Sequence, residues 1–299
     1  MHITDAQVRG VLTYEDLIPA MERALADYTT GKAIQPVRTL IPVKEHGGYL
    51  FVMPAYCGAL GAKLVTYYPK NQGIKTHFAT IQLFKPETGE PFVLLDGTLI
   101  TEMRTAAVSA AATRALARDD ASRLAILGSG VQARSHLAAL RHVRDFRDVR
   151  VWSPRSGAAF AAEHGITAAE SAEACVDGAD VIVVATTSST PVLEGGWVAP
   201  GAHVNSVGAA LADSRELDDA FVHSATLFVD SRAAALVESG DVIAAGRVDA
   251  EIGEVFEGTH AGRASRDEIT WFKSLGMAVE DIATADIVYR RSVAMGRTE

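Results

Sequence analysis

The feature that most constrains the fold is Arg123-Leu124-Ala125-Ile126-Leu127, an apolar run that passes directly into Gly128-Ser129-Gly130-Val131-Gln132-Ala133 and then into helical sequence. In such a strand–turn–helix the first glycine permits the tight turn and the second lets the backbone approach a pyrophosphate. The small Ala133 lets helix and strand pack closely, and the helix N-terminus carries partial positive charge for the phosphates. Alone, G-x-G-x-x-A is a weak signal, because glycine turns end many strands; its surroundings give it force. Short apolar runs at 149–152, 180–186, 203–207 and 226–230 alternate with helical stretches at 131–143, 157–164 and 233–239. That alternation predicts an α/β chain with a doubly wound (Rossmann) parallel sheet, covered on both faces, over residues 118–277.

The end of the second strand of such a unit selects the dinucleotide. An acidic residue about 20 positions past the glycines binds a ribose 2′-hydroxyl, but here the tip reads Val151-Trp152-Ser153-Pro154-Arg155-Ser156. Arg155, with Ser153 and Ser156, is suited to a 2′-phosphate through charge-assisted hydrogen bonds. A merely solvated Arg155 is the alternative, so NADP(H) is favoured while NAD(H) stays open. Thr186, Thr187 and Ser188 follow a later strand, at the carboxyl end where open sheets bind ligands, and are expected to line the dinucleotide. Ser206, Val207 and Gly208 are placed beside the nicotinamide on the same reasoning.

Residues 1–117 read as an α+β domain for substrate binding and dimerisation. A helix is expected at 13–28, with Thr13 and Asp16 at its start and Gly31 at its end. Strands are expected at 38–43, 49–53, 61–67, 78–84 and 92–95, the last two as a hairpin, and an Ala-rich helix at 99–116. A final helix at 277–291 leaves open whether the segment 278–299 packs back on this domain.

Composition narrows the function classes. Lys and Arg number 28 against 37 Asp and Glu, a net charge of −9, which argues against a nucleic-acid partner needing a basic surface. Cys57 and Cys175 are too few for a disulfide framework and the nine histidines lack metal-ligand spacing, so a reducing compartment and no metal are expected. The start lacks a leader pattern, and the longest uncharged stretch, 195–212, is broken by Pro200 and several glycines. A cytoplasmic protein without a membrane span is the expectation.

Several motifs together carry a resemblance: Pro69-Lys70-Asn71, Met103-Arg104-Thr105-Ala106-Ala107, the glycine loop, Asn205-Ser206-Val207-Gly208, and Gly262-Arg263 with the run from Asp267 through Trp271-Phe272-Lys273 to Glu280-Asp281. They resemble the ornithine cyclodeaminase and mu-crystallin family, with its ketimine reductases and archaeal alanine dehydrogenases, over nearly the whole chain. The resemblance implies a homodimer acting on small amino acids or cyclic imino acids, whose carboxylate basic residues hold against the nicotinamide. Carried over by motif, those residues are Arg38, Lys63 and Arg104. Lys63 and Arg104 stand as catalytic candidates, and Phe51 as an apolar wall of the substrate site. Independently, a cation in an apolar run is costly unless paired, so each basic residue reads either as a carboxylate partner or as half of an internal salt bridge.

Two departures from the cyclodeaminase pattern bear on the reaction. Members of that type resemble this chain at Val207-Gly208 but carry an aspartate where Ala210 stands, and they have an acid just before Met53-Pro54, where this chain reads Leu50-Phe51-Val52. Asp213 is a weaker substitute, explained by the helix entry leading to Glu216-Leu217-Asp218. His77, His203 and His260 are each open to an acid/base role, with a structural or exposed role the favoured reading. Deamination needs a group to take protons from the amine, whereas reducing a formed C=N bond needs only a bound carboxylate, a hydride and one proton. Reduction of a cyclic ketimine carboxylate such as 1-pyrroline-2-carboxylate is therefore favoured. Ornithine cyclodeamination is the alternative, and a noncatalytic NADPH-dependent ligand binder a third.

Overall fold

The computed structural model describes residues 1–296. The described residues pack as two compact units, 1–104 together with 276–296, and Thr105–Leu275. The division falls at 104/105 and 275/276, inside a helix and just after a strand, where the sequence reading drew it at 117/118 and 277/278.

The first unit is built on a six-stranded sheet. Its strands are β1 (His2–Ile3), β2 (Thr39–Val43), β3 (Gly48–Tyr56), β4 (Leu60–Tyr67), β5 (His77–Phe84) and β6 (Pro91–Asp96), in the order β1-β6-β5-β4-β3-β2. β2 to β6 form an antiparallel meander, and β1 adds parallel to β6. Period-two alternation sends Phe51, Met53, Lys63, Ala79 and Ile81 to one face, where they are buried. The helices of this unit are α1 (Asp5–Arg9), α2 (Tyr14–Thr29) and the start of α3 (Thr98–Leu116). Thr13 is the N-cap residue of α2, and its hydroxyl donates to Asp16 rather than capping a backbone amide.

The second unit holds the parallel sheet. Its strands are β7 (Arg123–Leu127), β8 (Asp148–Trp152), β9 (Thr167–Ala168), β10 (Val181–Val184), β11 (His203–Ser206), β12 (Thr226–Val229), β13 (Ala250–Glu251) and β14 (Thr270–Lys273). They lie in the order β13-β12-β14-β11-β10-β7-β8-β9, every pair parallel. Interleaved with them are α4 (Val131–Leu140), α5 (Gly157–His164), α6 (Ala172–Val176), α7 (Asp219–Ser224), α8 (Arg232–Glu238), α9 (Gly240–Ala245) and α10 (Ile252–Phe256). β10 has no exposed residue, as expected of a strand covered on both faces. From β7 the chain steps outward to β8 and β9, then returns to the other side of β7 with β10. The switch point therefore lies between the carboxyl ends of β7 and β10.

One last helix, α11 (Ala278–Ala294), belongs to the first unit and packs on α2, β3, β4 and β5. Among the described residues, no helix is long and apolar enough to cross a membrane.

Candidate active site

In the first unit, two cations and two carboxylates meet under the sheet. Lys63 is on β4 and Arg104 on α3, only 1% and 5% exposed. Both carboxylates come from the first turn of α11, where an acid favours the positive end of the helix. Arg104 donates from Nε to Asp281 Oδ1 at 2.9 Å and from Nη1 to Glu280 Oε2 at 2.7 Å. The Lys63 ammonium is ion-paired with Asp281 Oδ2. Gly276 makes the close packing possible: its φ of +78° favours glycine, and a Cβ there would run into the Arg104 guanidinium.

Both cations are thus in internal salt bridges, one of the two readings left open above. Neither carboxylate was singled out from the sequence, since paired acids opening a helix are ordinary end chemistry. Their full burial is the signal, and burial is a tertiary fact. Burial pushes the Lys63 ammonium down from 10.5 to about 8, with Arg104 pushing the same way and Asp281 opposing. Lys63 therefore holds a proton at neutral pH and gives it up more readily than an exposed lysine.

Around this cluster the same sheet face carries the remaining candidates. The Arg38 guanidinium lies 5.5 Å from the centre of the Phe51 ring, a cation–π distance. Arg38 itself precedes β2 rather than opening it. Farther along the face Tyr67 stacks on His77, ring centres 4.4 Å apart, and on Tyr49 at 6.4 Å. Desolvation and then the Lys63 charge hold the His77 imidazole below its ordinary pKa. Arg38, Phe51, Lys63 and Arg104 thus share one region of one unit.

In the second unit the glycine loop joins β7 to α4. Gly128 has φ +114°, and a Cβ there would strike the Ala185 carbonyl oxygen, so the turn after β7 presses on the chain leaving β10. Gly130 has open space where a side chain would project, and it precedes α4 with no side chain capping the helix. That is the cradle an anion needs at a helix N-terminus. Val131 is exposed at the same end, Gln132 is half-buried, and Ala133 is buried against the strand. Ser129 and Ser156 share a hydrogen bond of 2.6 Å, tying the loop to the turn after β8, where Arg155 is exposed and Ser153 half-buried. The residues present fit the pyrophosphate of a dinucleotide.

The other loop residues divide. Thr187 is exposed, while Ser188 donates from its hydroxyl to the Thr190 carbonyl at 2.7 Å. Val207 and Gly208 are half-buried at the end of β11. Ser206 needs correction as a side-chain contact. It is fully buried, and its hydroxyl accepts the Trp271 indole N–H at 2.8 Å, so it packs the core. Ala210 is half-buried and Asp213 exposed. His203 is buried between Thr270 and Asn205, with its pKa pushed down to about 3 by burial, so it is structural.

Comparison with known proteins follows this geometry. The family model for the ornithine cyclodeaminase/mu-crystallin family matches residues 1–296. The chain is 46% identical to ketimine reductase mu-crystallin of Mus musculus over 286 residues, 91% of each chain. It is similar to Thermococcus litoralis Δ1-pyrroline-2-carboxylate reductase in complex with NADH and L-proline, with a TM-score of 0.95, 38% identity, and coverage of 99% of this chain and 98% of that one. It is also similar to an archaeal alanine dehydrogenase dimer with bound NAD, with a TM-score of 0.94, 33% identity, and coverage of 99% and 97%. With the glycine loop, the parallel sheet and the basic cluster in place, the chain belongs to the ornithine cyclodeaminase/mu-crystallin family.

Proposed function

We propose that this protein is an NAD(P)H-dependent reductase of small cyclic ketimine carboxylates, such as 1-pyrroline-2-carboxylate, yielding the cyclic L-amino acid. The observation that carries the reading is the buried Lys63–Arg104 pair, preorganised by Asp281 and Glu280. Arg104 holds the substrate carboxylate as a planar, always-charged donor. Arg38 adds a second positive charge, and the Phe51 ring supplies the apolar wall against the imine ring. A dihydronicotinamide, when bound, would supply the hydride for the C=N carbon. Lys63, with its pKa near 8, carries the proton that the ring nitrogen takes up, and Asp281 keeps it charged beforehand.

Cyclodeamination is less well supported. It needs a free carboxylate near position 210, where alanine stands, and Asp213 is exposed. Glu216 is nearby, but its oxygens are engaged by backbone and hydroxyl donors.

The cofactor reading leans to NADPH, because Arg155, Ser153 and Ser156 replace an acid at the tip of β8. The reading of a homodimer is supported by the outward face of the first unit's sheet, where Ile41, Leu64, Phe78 and Leu94 are all more than a third exposed. Such an apolar face favours a self-complementary partner, and one similar protein is a dimer. A reducing cytoplasm suits Cys57 and Cys175, which are free and pushed up to about 11 and 12 by burial.

The test compares 1-pyrroline-2-carboxylate with 1-pyrroline, which lacks the carboxylate. The wild type should turn over only the former. Arg104→Ala should raise the KM for the carboxylate at least 100-fold and remove the discrimination. Equal turnover of both imines by the wild type would sink the carboxylate role.

A further inference from the structure

A second buried charge cluster lies in the parallel-sheet unit, outside the residues given a role above. Glu216 stands in the connection between β11 and α7, and its side chain is fully buried. Four donors converge on its two oxygens. Thr186 donates to Oε1 from its backbone N–H at 2.8 Å and from its hydroxyl at 2.7 Å. Gly208 and Ala209 donate their backbone N–H groups to Oε2 at 2.7 and 3.0 Å.

The carboxylate is itself held in place. Asp241 Oδ1 accepts the N–H groups of Glu216 and Leu217, both at 3.1 Å. The Glu216 carbonyl accepts the N–H of Val192 at 2.8 Å and of Leu193 at 3.1 Å. Lys273, fully buried at the end of β14, places its ammonium 3.7 Å from Asp241 Oδ2 and is the balancing charge. Burial raises the pKa of Glu216, while Lys273 and the hydrogen bonds from Thr186 and Ala209 oppose that rise.

A buried carboxylate is a costly way to stabilise a fold, since an apolar side chain of similar volume often does as well. Its particular gain here is geometric. One rigid group bridges the turn leaving β10 to the turn leaving β11, two turns at the carboxyl edge where open sheets bind ligands.

We propose that Glu216 is a positioning residue for the nicotinamide half of the cofactor: by bridging Thr186 to Gly208 and Ala209 it fixes the two turns that receive that half, and it leaves the adenosine half to the Gly128–Ala133 loop. This role rests on the dinucleotide reading above. It separates two halves of one ligand, and a purely structural role would not.

Glu216→Gln is the test, because the amide presents one oxygen and one NH2 where the native group presents two acceptors. One of the two turns must then face a donor. Binding of NADPH and NADH to the purified protein is measured beside ADP-ribose and its 2′-phosphate, which lack the nicotinamide. The expected result is at least tenfold weaker binding of the whole dinucleotides, with the ADP-ribose forms unchanged within twofold. Parallel weakening of both ligand sets, or no weakening of either, would overturn the role. If the wild type binds no dinucleotide, the cofactor reading falls and this inference with it.

Amide exchange in the wild type gives a measure that needs no variant. Gly208 and Ala209 lie outside any strand, yet their N–H groups should exchange slowly. Exchange as fast as in an exposed loop would refute the bridge.

Discussion

Replacing Asp281 by Asn removes one negative charge at constant size, and the structure says where the loss falls. Arg104 keeps Glu280, whereas Lys63 loses the ion pair that most offsets its burial. The Lys63 pKa, near 8 in the native protein against 10.5 in a free side chain, must drop further. Each pH unit between that pKa and the working pH is worth about 1.4 kcal/mol. A variant that sheds the Lys63 proton is therefore penalised relative to the wild type by at most about 1.4 kcal/mol at pH 7 and about 3 kcal/mol at pH 6. The Arg104 hydrogen bond to Asp281 adds about 1–3 kcal/mol at every pH.

The sign of the pH effect follows from proton counts. Below pH 8 the native wild type holds a proton that the native variant lacks, while the unfolded chains are alike. The variant's deficit therefore grows as pH falls and shrinks as pH rises to 8. Urea unfolding at pH 6, 7 and 8 measures it, followed by far-UV circular dichroism. Trp152, Trp197 and Trp271 all lie within Thr105–Leu275, whereas circular dichroism also reads the unit that contains Lys63. A deficit equal at pH 6 and pH 8 would refute the ionised Lys63–Asp281 couple, and no deficit at all would refute the pairing.

Three further outcomes are expected. Gly128→Ala should weaken dinucleotide binding at least 100-fold by fluorescence titration, because its Cβ meets the Ala185 carbonyl; near-native binding would mean that the loop gives way. Arg155→Ala should raise the Kd for NADPH about tenfold, a loss of about 1.4 kcal/mol, with the Kd for NADH unchanged within twofold; equal effects on both would leave Arg155 solvated. In the pH profile of imine reduction, kcat/KM should fall as pH rises through about 8, where Lys63 loses its proton, and Lys63→Met should abolish turnover. A profile flat to pH 9.5 would remove Lys63 from proton transfer.

Local signals were legible in the sequence and long-range ones were not. The β7–turn–α4 segment needs only adjacent residues to declare itself, through glycines at 128 and 130 and a small residue at 133. β14 gave no such signal. Thr270-Trp271-Phe272-Lys273 is four residues long, is buried on both faces and so lacks alternation, and its place between β11 and β12 is set by distant pairing. Asp213 reads in sequence as part of the helix entry leading to Asp218; it is exposed, and Asp218 is the residue that caps Phe221 at the start of α7.

Carboxylates were the hardest to read. Glu216, Glu280 and Asp281 look in sequence like acids near helix starts, and only burial beside Thr186, Arg104 and Lys63 separates them from surface charges. The cations Lys63 and Arg104 were conspicuous because a charge inside an apolar run or an Ala-rich helix must find a partner. Which partner it finds is decided by α11, more than 170 residues away in the chain.

The most direct measurement follows absorbance at 340 nm with the purified protein, NADPH or NADH, and 1-pyrroline-2-carboxylate, beside a parallel reaction of ornithine with NAD. The account predicts cofactor oxidation that depends on the imine and yields proline in equal amount, with no ammonia or proline from ornithine. Proline formed from ornithine without net change in the cofactor, or a cofactor that stays reduced with the imine present, would contradict it.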